Sequence, residues 1–176
     1  MMTYDTKDLL MHGRNWDGKK DLSGWIIQEK YNGCRAIWTG EHLVSRGGNV
    51  IGIPEHMESA MPRGLKLDGE IYAGRGGFQK TCDFVQHGLW SEEISFVVFD
   101  IPGLHDVPYL ERYALLAGRF DEDSIVQTAS HWNFRDNEQI KRTLIEAKYS
   151  GAEGYMAWNP NGFWKPGRTS DLLKVK

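Results

Sequence analysis

Two apolar runs, Trp25-Ile26-Ile27 and Ala36-Ile37-Trp38, flank the polar stretch Gln28 to Arg35. Runs rich in isoleucine and tryptophan and bounded by glycine read as strands. The pattern predicts strands over 25–30, 34–39 and 42–45. Asn32-Gly33 reads as a tight hairpin joining the first two, because both residues accept positive φ. Gly40 joins the second pair. Leu65 to Tyr72 alternates in the strand manner, and Ile94 to Asp100 is nearly all apolar, as in a buried strand. Strands are also expected over 125–131, 153–158 and 172–176. Pro54 and Pro108 open helices reaching Met61 and about Arg119, since proline suits the first helical position. Phe78 to Gln86 reads as a third helix. Asp136 with Gln139 resembles a capping box, and the helix it starts puts Ile140, Leu144 and Ala147 on one face before Gly151. Residues 5–24 are mixed, with a short helix over Asp8–Met11 and a turn over Asn15–Gly18. The sum is one α+β domain over 1–176, rich in antiparallel hairpins.

The bulk properties narrow the function. A chain of 176 residues can bury a sizeable core. The net charge of −3 argues against a stand-alone nucleic-acid clamp but leaves room for a local basic patch. No apolar run reaches the length of a membrane span, and the N-terminus lacks the regions of a signal peptide. Cys34 and Cys82 lie in unlike contexts, so a reducing compartment without disulfides is expected. The six histidines show no metal spacing. Gly74-Arg75-Gly76-Gly77 is too irregular for a phosphate-binding loop or a dinucleotide fingerprint.

Lys30, at a strand end beside a turn, is by itself an ordinary surface lysine or a nucleophile awaiting activation. The later stretches change that. Lys30-x-Asn32-Gly33-x-Arg35 is followed by Ser45-Arg46-Gly47-Gly48, Asp68-Gly69-Glu70, Phe96 to Asp100, Glu153-Gly154 and Lys174-Val175-Lys176. In this order and spacing they resemble the nucleotidyl-transferase motifs of the ATP-dependent polynucleotide ligases, over residues 25–176. The phrases around Arg46 and Glu70 look closest to the minimal DNA ligases of bacteria and phages.

The resemblance implies an ATP-grasp-like nucleotidyl-transferase domain, with two antiparallel sheets flanked by helices and a nucleotide cleft between them. It implies a lysyl-AMP intermediate on Lys30, with ATP and Mg2+ or Mn2+ as cofactors. Lys174 and Lys176 resemble catalytic cations; as edge-strand lysines they would instead discourage aggregation. Glu153 resembles the metal-binding carboxylate. Gln28, Glu29, Arg35, Glu70 and Phe99 match nucleotide-side positions, Phe99 reading equally as an adenine stack or as core. Arg46, Arg75 and Arg168 are the candidate nucleic-acid contacts. The implied partner is nicked duplex DNA with a 5′-phosphate, bound by a monomer in the cytoplasm of a bacterial or phage-infected cell, with no membrane. RNA ligases and capping-type transferases share the lysine motif, and a nucleotide-binding module without sealing activity is the alternative from another class.

Two departures matter. Asn32 stands where the family motif usually has aspartate. The OB domain that normally follows is expected to be missing, with its basic surface and its pyrophosphate-contacting motif.

Overall fold

The computed structural model describes residues 2–121 and 123–176. Its strands form two five-stranded sheets. The first runs in the order β1 (Met11–Asn15), β10 (Gly167–Val175), β9 (Tyr155–Trp158), β2 (Ile26–Glu29), β8 (Trp132–Asn133). The second runs β4 (Leu43–Ser45), β3 (Cys34–Trp38), β5 (Leu67–Tyr72), β6 (Ser95–Asp100), β7 (Val126–Thr128). Helices α1 (Glu55–Ala60), α2 (Phe78–His87), α3 (Tyr109–Leu116) and α4 (Asn137–Tyr149) complete the α+β fold. The sheets are mixed rather than purely antiparallel: β1 runs parallel to β10, and β7 parallel to β6.

The expected hairpin at Asn32-Gly33 does not form. β2 pairs with β9 and β8, whereas β3 pairs with β4 and β5. The turn is the crossing between sheets. Neither Asn32 nor Gly33 adopts positive φ. Gly33 is needed for space instead, because a Cβ there would stand 2.0 Å from the carbonyl oxygen of Ile71. The turn preference of Asn-Gly is not used here, and long-range pairing chose the partners.

Other expectations shift at their ends. The helix over Asp8–Met11 is a 3-10 turn at Lys7–Leu9, and Met11 already belongs to β1. The strand over 125–131 is shorter, and Trp132–Asn133 joins the other sheet. The last strand begins at Gly167, not 172. Asp136 caps α4 by accepting from the Gln139 N–H at 2.8 Å, while the Gln139 side chain accepts from the Arg135 N–H rather than from Asp136, so the box is displaced by one residue. Cys34 and Cys82 are free but adjacent, and burial followed by this neighbour pushes the Cys34 thiol up to about 12.

Period-two alternation splits the first sheet into two faces. Ile27, Ala157, Leu173 and Val175 pack with Ile140 of α4. Ile26, Trp158 and Leu172 point the other way and meet Tyr109 and Tyr113 of α3, with Phe99 of β6 at the margin. A separate core covers the second sheet with α1 and α2, through Met57, Met61 and Phe84. Thus α3 wedges the sheets apart at one end and leaves a cleft at the other. The wedge is fixed by a buried pair: the Arg112 guanidinium donates to both Asp100 oxygens, at 2.7 and 3.1 Å, and to the carbonyls of Val107 and Gly162. A buried pair is worth keeping only when its donors are largely satisfied, as here by four hydrogen bonds.

Candidate active site

The cleft has a volume of about 180 Å3. Its first wall is the exposed part of the α3-facing side of the first sheet. Alternation places Gln28, Met156, Trp158, Leu172 and Lys174 on this face, in two cross-strand rows: Lys174–Met156–Gln28 and Leu172–Trp158–Ile26. His12 and Gly13 of β1 complete it. The opposite wall comes from the second sheet: Arg35, Glu70, Phe99, and Arg46 from the turn after β4. Lys30 and Tyr31 lie at the crossing between them.

Lys30 is held at both ends. Its backbone N–H donates to the Gly154 carbonyl at 2.8 Å, and its amine pairs with the Glu153 carboxylate at 2.5 Å. Lys176 approaches the same carboxylate at 3.9 Å. Gly154 permits this closeness, since a Cβ there would meet the Val175 carbonyl oxygen at 2.4 Å. Lys174 has no ion-pair partner among the described residues; burial and then the charges of Lys176, Lys30, Arg168 and Arg46 lower its pKa. Burial, followed by Arg35, Arg46, Lys174 and Arg168, also keeps the His12 imidazole below its ordinary value. A positive field is therefore concentrated here on a chain of net charge −3.

At the other end, the groups are apolar or hydrogen-bonded. The Tyr109 hydroxyl donates its single proton to the Phe99 carbonyl at 2.8 Å, so it must accept from the Gln28 amide, 3.0 Å away. That fixes the amide orientation and leaves the Gln28 carbonyl oxygen as the acceptor it can offer to the cleft. The Tyr109 ring stacks on Trp158 at 4.2 Å and 9°. Phe99 is partly buried beside Trp158, with Arg35 over its ring at 5.4 Å.

Several expected residues have partners that redefine them. Arg35 spends its fork on Asp68, at 2.9 and 2.5 Å, and on the Met11 carbonyl, so it lines the cleft as a fixed charge rather than a free hand. Glu70 accepts from the Gly33 N–H at 3.2 Å, and burial pushes its carboxyl up to about 7 against the opposing pull of Arg35. Glu29 lines the cleft but is gripped by both arms of Arg75, at 3.0 and 2.9 Å, and Arg75 also donates to Ser150. Arg75 lies outside the cleft. Arg168 does too, in a neighbouring groove with Arg14, Asn15 and Lys174. Sequence reasoning missed His12, Tyr109, Met156 and Trp158. The alternation of β9 carried a signal for the last two; nothing in the sequence tied α3 to β2.

Residues 18–176 match the family model described as the ATP dependent DNA ligase domain. The chain belongs to this family. A DNA ligase of Haemophilus influenzae is 27% identical over 172 residues, which is 96% of this chain and 62% of that protein. The chain thus spans less than two thirds of this curated relative. Among solved structures, one from a structure–function analysis of Lig E DNA ligases, on DNA binding with a minimal scaffold, superposes with a TM-score of 0.86 at 25% identity, covering 96% of this chain and 68% of that one. The Chlorella virus DNA ligase-adenylate shares the fold with a TM-score of 0.76 at 22% identity, over 97% of this chain and 69% of that one.

Proposed function

We propose that this chain is the adenylation unit of an ATP-dependent DNA ligase: it forms lysyl-AMP on Lys30 and delivers AMP to the 5′-phosphate of a nick. The observation that carries the reading is the Lys30 amine at the sheet crossing, in contact with Glu153 and within a field of cations that also includes Lys174, Lys176 and Arg46. Membership of the ligase domain family supports it.

An ion-paired ammonium has no lone pair for attack. Its proton must pass to the Glu153 carboxylate it contacts or to solvent water, and Glu153 must release the amine. Nitrogen then bonds to the α-phosphorus as the bond to pyrophosphate breaks, splitting one difficult transfer into two. Lys174, Lys176 and Arg46 are fixed positive charges for the phosphates, and preorganised charge is the largest lever for such transfers. Gln28 and Phe99 bind the base, with Glu70 toward the ribose. Arg35 acts through the fixed charge it places on that wall. Glu29 shapes the mouth through Arg75.

A divalent cation, Mg2+ or Mn2+, fits the donor set. Among the described residues no group of three or more His, Cys, Asp or Glu could hold a metal, but Mg2+ needs only one or two carboxylates when phosphate oxygens supply the rest. Glu153, about one third exposed beside Lys30, would hold it, and the cation would supply charge neutralisation.

Nicked duplex DNA would lie across Arg46 and Arg168, with an OB domain as the covering partner. No helix among the described residues is long and apolar enough to cross a membrane; with two free cysteines, a cytoplasmic setting fits. The deciding experiment is intact-mass spectrometry after incubation with ATP and Mg2+. One added AMP on Lys30, lost in Lys30→Ala, is expected. An adduct of equal yield in that variant sinks the assignment, and GTP and RNA-nick arms separate the capping-type and RNA-ligase readings.

A further inference from the structure

We propose that Trp158 is a base-reading residue, whose indole N–H donates to a ring nitrogen of adenine adjacent to the exocyclic amine. This rests on the nucleotide reading above and adds to it a specific donor.

Trp158 is 2% exposed, and its Nε1–H has no hydrogen-bond partner among the described residues. A buried donor left unpaired is costly, and each one in a folded protein calls for an explanation. Trp164 is also unpartnered, but it lies outside the cleft, edge-on to the His105 ring at 5.0 Å and 80°. Among the described residues Trp158 has no edge-on ring contact of this kind. It stacks flat on Tyr109 and tilts against Phe99 at 43°, and it lines the cleft.

The register says what it can read. Gln28 faces Met156 across β2 and β9, and Ile26 faces Trp158. Gln28 and Trp158 are therefore diagonal neighbours on one face, a spacing of roughly 7–8 Å between their Cα positions. One offers an acceptor and the other a donor. Adenine presents the matching pair: its N6 amine donates, and the ring nitrogens beside it, N1 and N7, accept. N3 lies on the far side of the ring. Guanine puts a carbonyl oxygen where Gln28 needs a donor. The Trp158 Nε1 is covered in this structure, so a base must displace side chains to reach it; Phe99 and Met156, packed in the same cluster, are only partly buried.

Binding of ATP, 1-deaza-ATP, 7-deaza-ATP and 3-deaza-ATP is measured by calorimetry in a Lys30→Ala background, with and without Trp158→Phe. Phenylalanine keeps the stack on Tyr109 and removes the N–H. Trp158→Phe should weaken ATP and 3-deaza-ATP roughly five- to tenfold. Either the 1-deaza or the 7-deaza analogue should bind the two proteins equally. Equal loss for all four nucleotides, or no loss for any, overturns the proposal. If Trp158→Phe does not fold, the analogue series on the tryptophan-bearing protein decides: weakening at one of the 1- or 7-positions and none at the 3-position is expected, and a flat series overturns it. A tryptophan-bearing protein that binds no ATP overturns the nucleotide reading as well, which separates the two failures.

Discussion

Lys30 and Glu153 meet across 123 residues of chain at 2.5 Å, while the backbone N–H of Lys30 donates to the next carbonyl, that of Gly154. One short segment thus fixes the Lys30 backbone and also holds its amine. If Glu153 holds the proposed cation, Glu153→Gln should leave ATP affinity within a few-fold and slow single-turnover formation of lysyl-AMP roughly 10- to 100-fold, the scale on which groups supporting a metal site act. Rapid-quench measurement of adduct formation checks it. An unchanged rate would return Glu153 to a structural role.

Phe99 is partly buried and touches both Trp158 and Arg35. Phe99→Leu should cost less than about 1.5 kcal/mol of stability, since volume is nearly kept. It should weaken ATP roughly fivefold through lost stacking. Equilibrium denaturation and calorimetry on the same preparation read the two effects separately.

Glu70 gives a pH signature. Its carboxyl is raised from the usual range to about 7 chiefly by burial. Between these values the unfolded chain binds fewer protons than the native one, so this group's contribution falls as pH rises to about 7 and is level above it. Glu70→Gln removes that penalty. The difference in melting temperature, variant minus wild type, should grow between pH 5 and pH 8. A pH-independent difference would contradict the assignment.

Gly33→Ala tests the sheet crossing. A Cβ at Gly33 would sit 2.0 Å from backbone oxygen, which cannot swing aside. Overpacking of this kind costs about 1–3 kcal/mol or more. A lowered denaturation midpoint is expected, together with reduced adenylation because Lys30 is displaced.

The arginines should separate by salt dependence of nick binding. Arg46 and Arg168 have no carboxylate partner among the described residues, whereas Arg75 is held by Glu29. Arg46→Ala and Arg168→Ala should each lower the slope of log K against log salt by about 1. Arg75→Ala should leave it nearly unchanged. Gel-shift titration of a 5′-phosphorylated nick over a salt series measures all three.

The sequence by itself determined the family and most of the elements. The Lys30 motif, Glu153-Gly154 and Lys174-x-Lys176 were legible through their order and spacing, which resemble those of the ligase family. The Asp136 cap and the Ile140 face of α4 were legible because they depend on residues three or four apart. Only the tertiary structure decided which strands pair. Asn32-Gly33 carries a local hairpin preference, but sheet hydrogen bonds are satisfied equally well by any strand, and β2 and β3 lie in different sheets, with Gly33 close against the Ile71 carbonyl. The same holds for side-chain partners. Arg35 and Arg75 carry the same charge as Arg46 in the sequence. Asp68 and Glu29 occupy the first two because folding carries those carboxylates to them, across 33 and 46 residues of chain.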